Sequence, residues 1–172
     1  MEEKNSLLKQ AATYGLIMGI YWAVKFVFIM LGITRVPFGV VYLLLTVAVP
    51  FIAYYFTRKY RNQSLGGEIS FFHAWRFGIM LYTFAALIAA VAHFIFFRYI
   101  AGPDFFTQLY AQVIQAMQES HMDPAVVESM KKMPILSPIQ FAVQNIFNNI
   151  FWGIIFSIPV AWIVSRHNSP AA

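Results

Sequence analysis

Four long apolar runs, at residues 11–32, 38–57, 77–97 and 145–164, constrain this chain more than any other feature. The hydrocarbon core of a bilayer is ~30 Å thick, and a helix needs ~20 apolar residues to cross it. A segment in lipid has no water to satisfy its backbone, so each run must close its own hydrogen bonds as a helix. The expected fold is therefore all-α. It is a four-transmembrane-helix bundle forming one integral membrane domain over residues 1–172. An amphipathic helical pair is expected in the long extracytoplasmic loop, residues 101–140, between helices three and four.

Composition agrees. Hydrophobic residues make up 60% and charged residues 11%, against ~45–50% and ~25% in soluble domains. The chain has no Cys, which excludes a thiol nucleophile, a zinc–thiolate site and a cysteine-held iron–sulfur cluster. The net charge is +5, but the basic residues flank the apolar runs and no nucleic-acid module is recognisable, so no nucleic-acid partner is expected. The first ten residues carry Glu2 and Glu3 beside Lys4 and Lys9. The run after them is too long for a signal peptide and no A-x-A site closes it, so it reads as a retained helix.

Four spans place both termini on one side. That side carries Lys4, Lys9, Arg58, Lys59, Arg61, Arg76 and Arg166, against Arg35, Arg98, Lys131 and Lys132 on the other. Basic residues concentrate in cytoplasmic loops, so both termini are expected in the cytoplasm. The connection 33–37 is short enough to force an antiparallel hairpin. Residues 58–65 read as a basic loop, and Gly66–Gly67 as a turn with positive φ.

Within 101–140, Asp104 reads as the N-cap of a helix running to Gln118. Phe105, Phe106, Leu109, Tyr110, Val113, Ile114 and Met117 recur on one face of it. Asp123 and Pro124 start a second helix, with Lys131 and Lys132 in its last turn. Pro134 and Pro138 are expected to end it. The pair either covers the outer end of the bundle or lies on the lipid surface, or else serves as a lid or docking surface.

Residues 66–78 run Gly66–Gly67–Glu68–Ile69–Ser70–Phe71, then Ala74 and Gly78. Ahead of the last span come Met130–Lys131–Lys132 and Ser137–Pro138. This arrangement resembles a family of small bacterial inner-membrane proteins, the domain of unknown function family 4199. The resemblance implies a four-helical protein of the bacterial inner membrane and brings no assigned activity. Read physically, Ser70 can cap the helix that follows it. Ala74 and Gly78 are one turn apart and allow close helix approach, as do Gly15 and Gly19 in the first span.

Lys25 lies about 10 Å below the end of the first span, at 1.5 Å per residue. A Lys at mid-membrane costs ~2.5–3.5 kcal/mol on insertion scales. It either snorkels outward or meets neutral partners at its own depth. His93, Asn145, Asn148 and Asn149 fall in the same outer third, and Gln140 and Gln144 continue that amide stripe. No Asp or Glu lies within a span, which argues against a carboxylate proton relay. His73 and Arg76 are expected to snorkel at the inner rim. The His residues are scattered, so neither a metal site nor a cofactor is expected.

The reading is a non-enzymatic accessory or structural membrane protein. The alternative is a small oligomeric transporter or channel around Lys25, since four bulky helices should pack without a lumen. The lipid bilayer is the expected partner, with a homo-oligomer or another membrane protein as further candidates.

Overall fold

A computed structural model describes residues 2–32 and 35–167, with side chains from residue 6 onward. Six helices follow one another: α1 Glu2–Gly32, α2 Val36–Ser64, α3 Phe71–Ile95, α4 Phe105–Glu119, α5 Pro124–Lys131 and α6 Pro138–Arg166. A π-helical turn, Phe96–Ile100, prolongs α3. No strand occurs among the described residues. Helices α1, α2, α3 with its π turn, and α6 are long and apolar enough to cross a membrane, which makes this a multi-pass membrane protein. Large apolar side chains stay exposed along α2, Leu43 at 60%, Leu44 at 65% and Phe51 at 68%. A protein in water would bury such a belt; here it is the surface that meets lipid.

The helices overrun the expected spans. α2 continues through Arg58, Lys59 and Arg61, so most of the expected basic loop is helix. α6 begins at Pro138, seven residues before Asn145. Pro138 therefore starts a helix instead of ending one. Its fixed φ suits the first helical turn, and Ser137 and Gln140 form a reciprocal capping box ahead of it. Of the connection expected at 33–37, Ile33 and Thr34 lie outside the described residues, and Val36 and Pro37 already belong to α2.

Two expected caps form. Ser70 Oγ accepts from the His73 N–H at 3.3 Å, and Asp123 accepts from the Ala125 N–H at 2.8 Å. Asp104 makes no side-chain cap. Gly102 turns the chain at φ 86°, and Asp104 follows at φ −92°, ψ 1°. That backbone is a turn, not the extended conformation that aims a cap side chain back at the helix. Gly66 and Gly67 have φ of 66° and 95°, as the α2–α3 turn requires.

α3 is the central helix, packed most extensively on α6 and α1, while α2 leans chiefly on α1. Small residues bring the backbones together. A Cβ on Gly15 would stand 2.4 Å from the Phe84 Cβ, and one on Gly19 2.6 Å from the Ile88 Cβ. On the other side of α3, a Cβ on Gly78 would meet the Ser157 Cβ at 2.5 Å, and one on Gly153 the Tyr82 Cβ at 2.4 Å. Ala74 is fully buried on the same helix. The GxxxG of α1 is thus spent on packing inside the bundle.

The prolines of α2 and α6 are treated alike. A proline inside a helix withholds an N–H and crowds the carbonyls of the preceding turn. Five residues before Pro50, the Leu45 carbonyl accepts from the Tyr21 hydroxyl at 2.6 Å. Five residues before Pro159, the Ile154 carbonyl accepts from the Trp75 indole N–H at 3.1 Å. In each case an aromatic donor from a proline-free helix ties the turn before the proline to its neighbour, at the residue ahead of the carbonyl that the proline leaves without its helical donor.

The end of the bundle that carries the chain termini is densely filled. Tyr60 is fully buried and stacks on Phe77 at 4.3 Å. Its hydroxyl pairs with His73 Nε2 at 2.9 Å. His73 therefore turns inward instead of snorkelling, while Arg76 is exposed. Arg61, only 3% exposed, crosses from α2 to the end of α6 and donates to the carbonyls of Val164 and His167. A cation there meets the negative end of the helix dipole.

Candidate functional site

The other end of the bundle is hollow. Lys25 projects from α1 between the rings of Tyr42 on α2 and Trp22 on its own helix, 5.1 and 5.9 Å from their centroids. It is half-buried and has no hydrogen-bond or ion-pair partner among the described residues. Cation–π contacts of this kind contribute ~0.5–2 kcal/mol, which leaves the charge without a counter-ion.

Two adjoining cavities meet at this lysine. One, of about 440 Å³, lies beneath the loop end and is lined by Lys25, His93, Asn145, Asn148 and Asn149 among aromatic side chains. The second, of about 650 Å³, runs between α2 and α6. Both share Trp22, Lys25, Tyr42, Asn148 and Asn149. No Asp or Glu lines either one. Both are clefts between helices that open on the outside of the bundle, so neither is a lumen through it, and neither reaches the filled end.

All five residues that sequence reasoning matched by depth line the first cavity. Their roles differ. Asn149 donates from Nδ2 to the Asn145 carbonyl at 2.8 Å and to its side-chain oxygen, so Asn149 Oδ1 is left to accept. Asn148 is exposed, and its side chain makes no hydrogen bond among the described residues. His93 is buried against Phe26, 4.3 Å between ring centroids. Gln140 and Gln144 do not join them: Gln140 is consumed in the cap of α6, and Gln144 is exposed and lines neither cavity.

Three polar atoms of the lining residues, Trp22 Nε1, Tyr82 Oη and His93 Nδ1, are enclosed within the protein and have no hydrogen-bond partner among the described residues. Leaving such a group unpaired costs ~1–3 kcal/mol. Trp22 and Tyr82 escaped the reading of the sequence. Trp22 had a signal, since it stands three residues before Lys25 and so shares its face. Tyr82 had none; only its crossing with Gly153 brings it to the wall.

Aromatic rings close the cavity toward the loop. Phe97 of the π turn packs against Phe105 and Phe106 of α4 with tilted rings and against Phe141 of α6 edge to face, at centroid separations of 5.2, 4.9 and 4.9 Å. Beyond this first turn α4 has no buried residue. It is held to α5 by Val127 and by a long contact, 3.5 Å, from the Tyr110 hydroxyl to the Met130 carbonyl. The π turn is what aims Phe97 at this plug. Its Ala101 N–H bonds back five residues to Phe96, so the helix gains a residue just where the ring must turn inward.

No curated protein and no solved structure matches this chain. A family model does, over residues 13–166, which takes in α1 from Thr13 onward, the other three long helices and the pair between them. On that match the chain belongs to the DUF4199 family, whose members are described as proteins of unknown function.

Proposed function

We propose that this is a non-enzymatic accessory protein of the bacterial inner membrane, with both termini in the cytoplasm and residues 101–140 outside. Its working part is the Lys25 cavity, used to hold a bound group. One observation carries the reading: Lys25, Asn148 and Asn149 line both cavities, and no carboxylate lines either. A lone ammonium among neutral amides is a recognition device. His93 lines one of the two cavities, but no carboxylate stands there to orient it as a general base, and an ionisable side chain within a membrane span marks a functional site by default. The seven-to-four basic count supports the orientation.

Two measurements test this. A cysteine placed at Gln118, in a chain with none of its own, should react with an impermeant thiol reagent on intact spheroplasts. Labelling only after lysis would reverse the orientation. For the site, Lys25→Met and Asn148→Leu should be coupled in a double-mutant cycle of ligand-free stability, by at least ~0.5 kcal/mol. Additive effects would separate the two residues. Lys25-dependent ion flux through proteoliposomes would replace the reading with a transporter or channel.

A further inference from the structure

Building on that reading, we infer that the Lys25 cavity takes an amphiphilic oxyanion, a carboxylate or phosphate group on an apolar chain, received sideways from the lipid between α2 and α6. The charge of the occupant follows from the walls. They offer one ammonium without a counter-ion and, beside it, the amides of Asn148 and Asn149, the first with no side-chain partner among the described residues. An ammonium only donates, and an amide nitrogen donates as well. A group that accepts several hydrogen bonds and carries a negative charge answers all of them, and an anion would remove the desolvated charge that the rings only soften.

The apolar chain follows from the second cavity. Away from Lys25 it is walled by Val47, Pro50 and Phe51 of α2 and by Trp152 and Phe156 of α6. Val47, Phe51, Trp152 and Phe156 are also exposed on the outside of the bundle. The cavity thus opens on the lipid-facing surface, and its volume lies within the ~300–1,000 Å³ of small-molecule sites. The route from the loop end is obstructed by the clustered rings of Phe97, Phe105, Phe106 and Phe141. A hydrated free anion would have to shed its water there without compensation. A lipid-dissolved amphiphile would already lie beside the gap. α2, the wall it must pass, makes fewer contacts with α6 than α3 does.

The test uses the full-length protein in phosphatidylcholine nanodiscs and a fatty acid with a photoreactive diazirine near its methyl end. After irradiation, adducts should map to Val47, Phe51, Trp152 or Phe156. Excess oleate and lysophosphatidate should suppress them, while butyrate and inorganic phosphate at equal concentration should not. Lys25→Met should lower the yield about ten-fold, the effect of losing one charged hydrogen bond. Lys25→Arg should retain most of it, and circular dichroism should show both variants folded. Val47→Phe, which narrows the gap without touching Lys25, should also lower the yield. Lys25-dependent protection by phosphate or butyrate, without adducts on α2 and α6, would overturn the lipid route and leave the binding site standing. Equal yields from Lys25→Met, or from the uncharged methyl ester of the probe, would overturn the site itself.

Discussion

Replacing Gly19 by Val tests whether the GxxxG of α1 builds the bundle or a dimer. A Cβ at Gly19 would lie 2.6 Å from the Ile88 Cβ and 2.9 Å from the Ala85 carbonyl oxygen. Carbon atoms rest at ~3.5–4.0 Å, so the overlap is about 1 Å. Both obstacles are fixed to the α3 backbone, and no rotamer change removes them. α1 and α3 must therefore part, and a gap of ~0.5–1 Å forfeits a quarter to a half of each dispersion contact along the crossing. Overpacking of this kind costs ~1–3 kcal/mol, from which the better helix preference of Val over Gly recovers a few tenths. The expected net loss is about 2 kcal/mol, roughly a thirty-fold fall in the ratio of folded to unfolded protein. Gly39 on α2 is the matched control, because nothing lies within 4 Å of its added Cβ. Reversible unfolding in mixed micelles, followed by circular dichroism, should separate Gly19→Val from Gly39→Val by that amount. Light scattering should show the same oligomeric state for both. Equal stabilities, or a Gly19→Val protein that changes only its oligomeric state, would refute the packing argument.

Other perturbations reach other joints of the fold. Arg61→Lys keeps the charge but loses the planar guanidinium whose Nη1 donates to both the Val164 and His167 carbonyls while its Nε donates to Asn62 Oδ1; it should cost ~1–2 kcal/mol in the same unfolding assay and speed amide exchange in the last turn of α6. Tyr21→Phe and Trp75→Phe each remove a donor to a carbonyl in the turn before a proline. Each should destabilise by ~0.5–1.5 kcal/mol, and the pair should be additive, since the two joints share no partner. Spin labels along 105–117 should show burial at Phe105 and Phe106 and water or headgroup exposure with helical period beyond them, because only the first turn of α4 meets the bundle. A uniformly aqueous profile would detach α4 from the loop end.

What the sequence determined by itself was local. The four spans were legible because transfer into lipid is a sum over neighbouring residues. The Gly66–Gly67 turn and the Ser70 and Asp123 caps were legible because they need only a few adjacent side chains. The start of α6 was equally local, and Ser137, Pro138 and Gln140 carried it, although a proline after a helical run reads as readily as a stop as it does as a start. Depth along the membrane was legible too, since it follows from counting residues, and it put Lys25, His93 and the asparagines at one level. Azimuth was not. Whether residues at one depth face each other depends on the rotation of each helix about its axis, which the α1–α3 and α3–α6 crossings set through Gly15, Gly19, Gly78 and Gly153. The same crossings bring Tyr82 and Phe141 into the walls of the hollow end. They also decide that Arg61, which reads like any basic residue at a membrane boundary, is buried under the end of α6. Only the tertiary structure fixes such partners, because a long polar side chain at a helix end takes whichever acceptors packing brings within its reach.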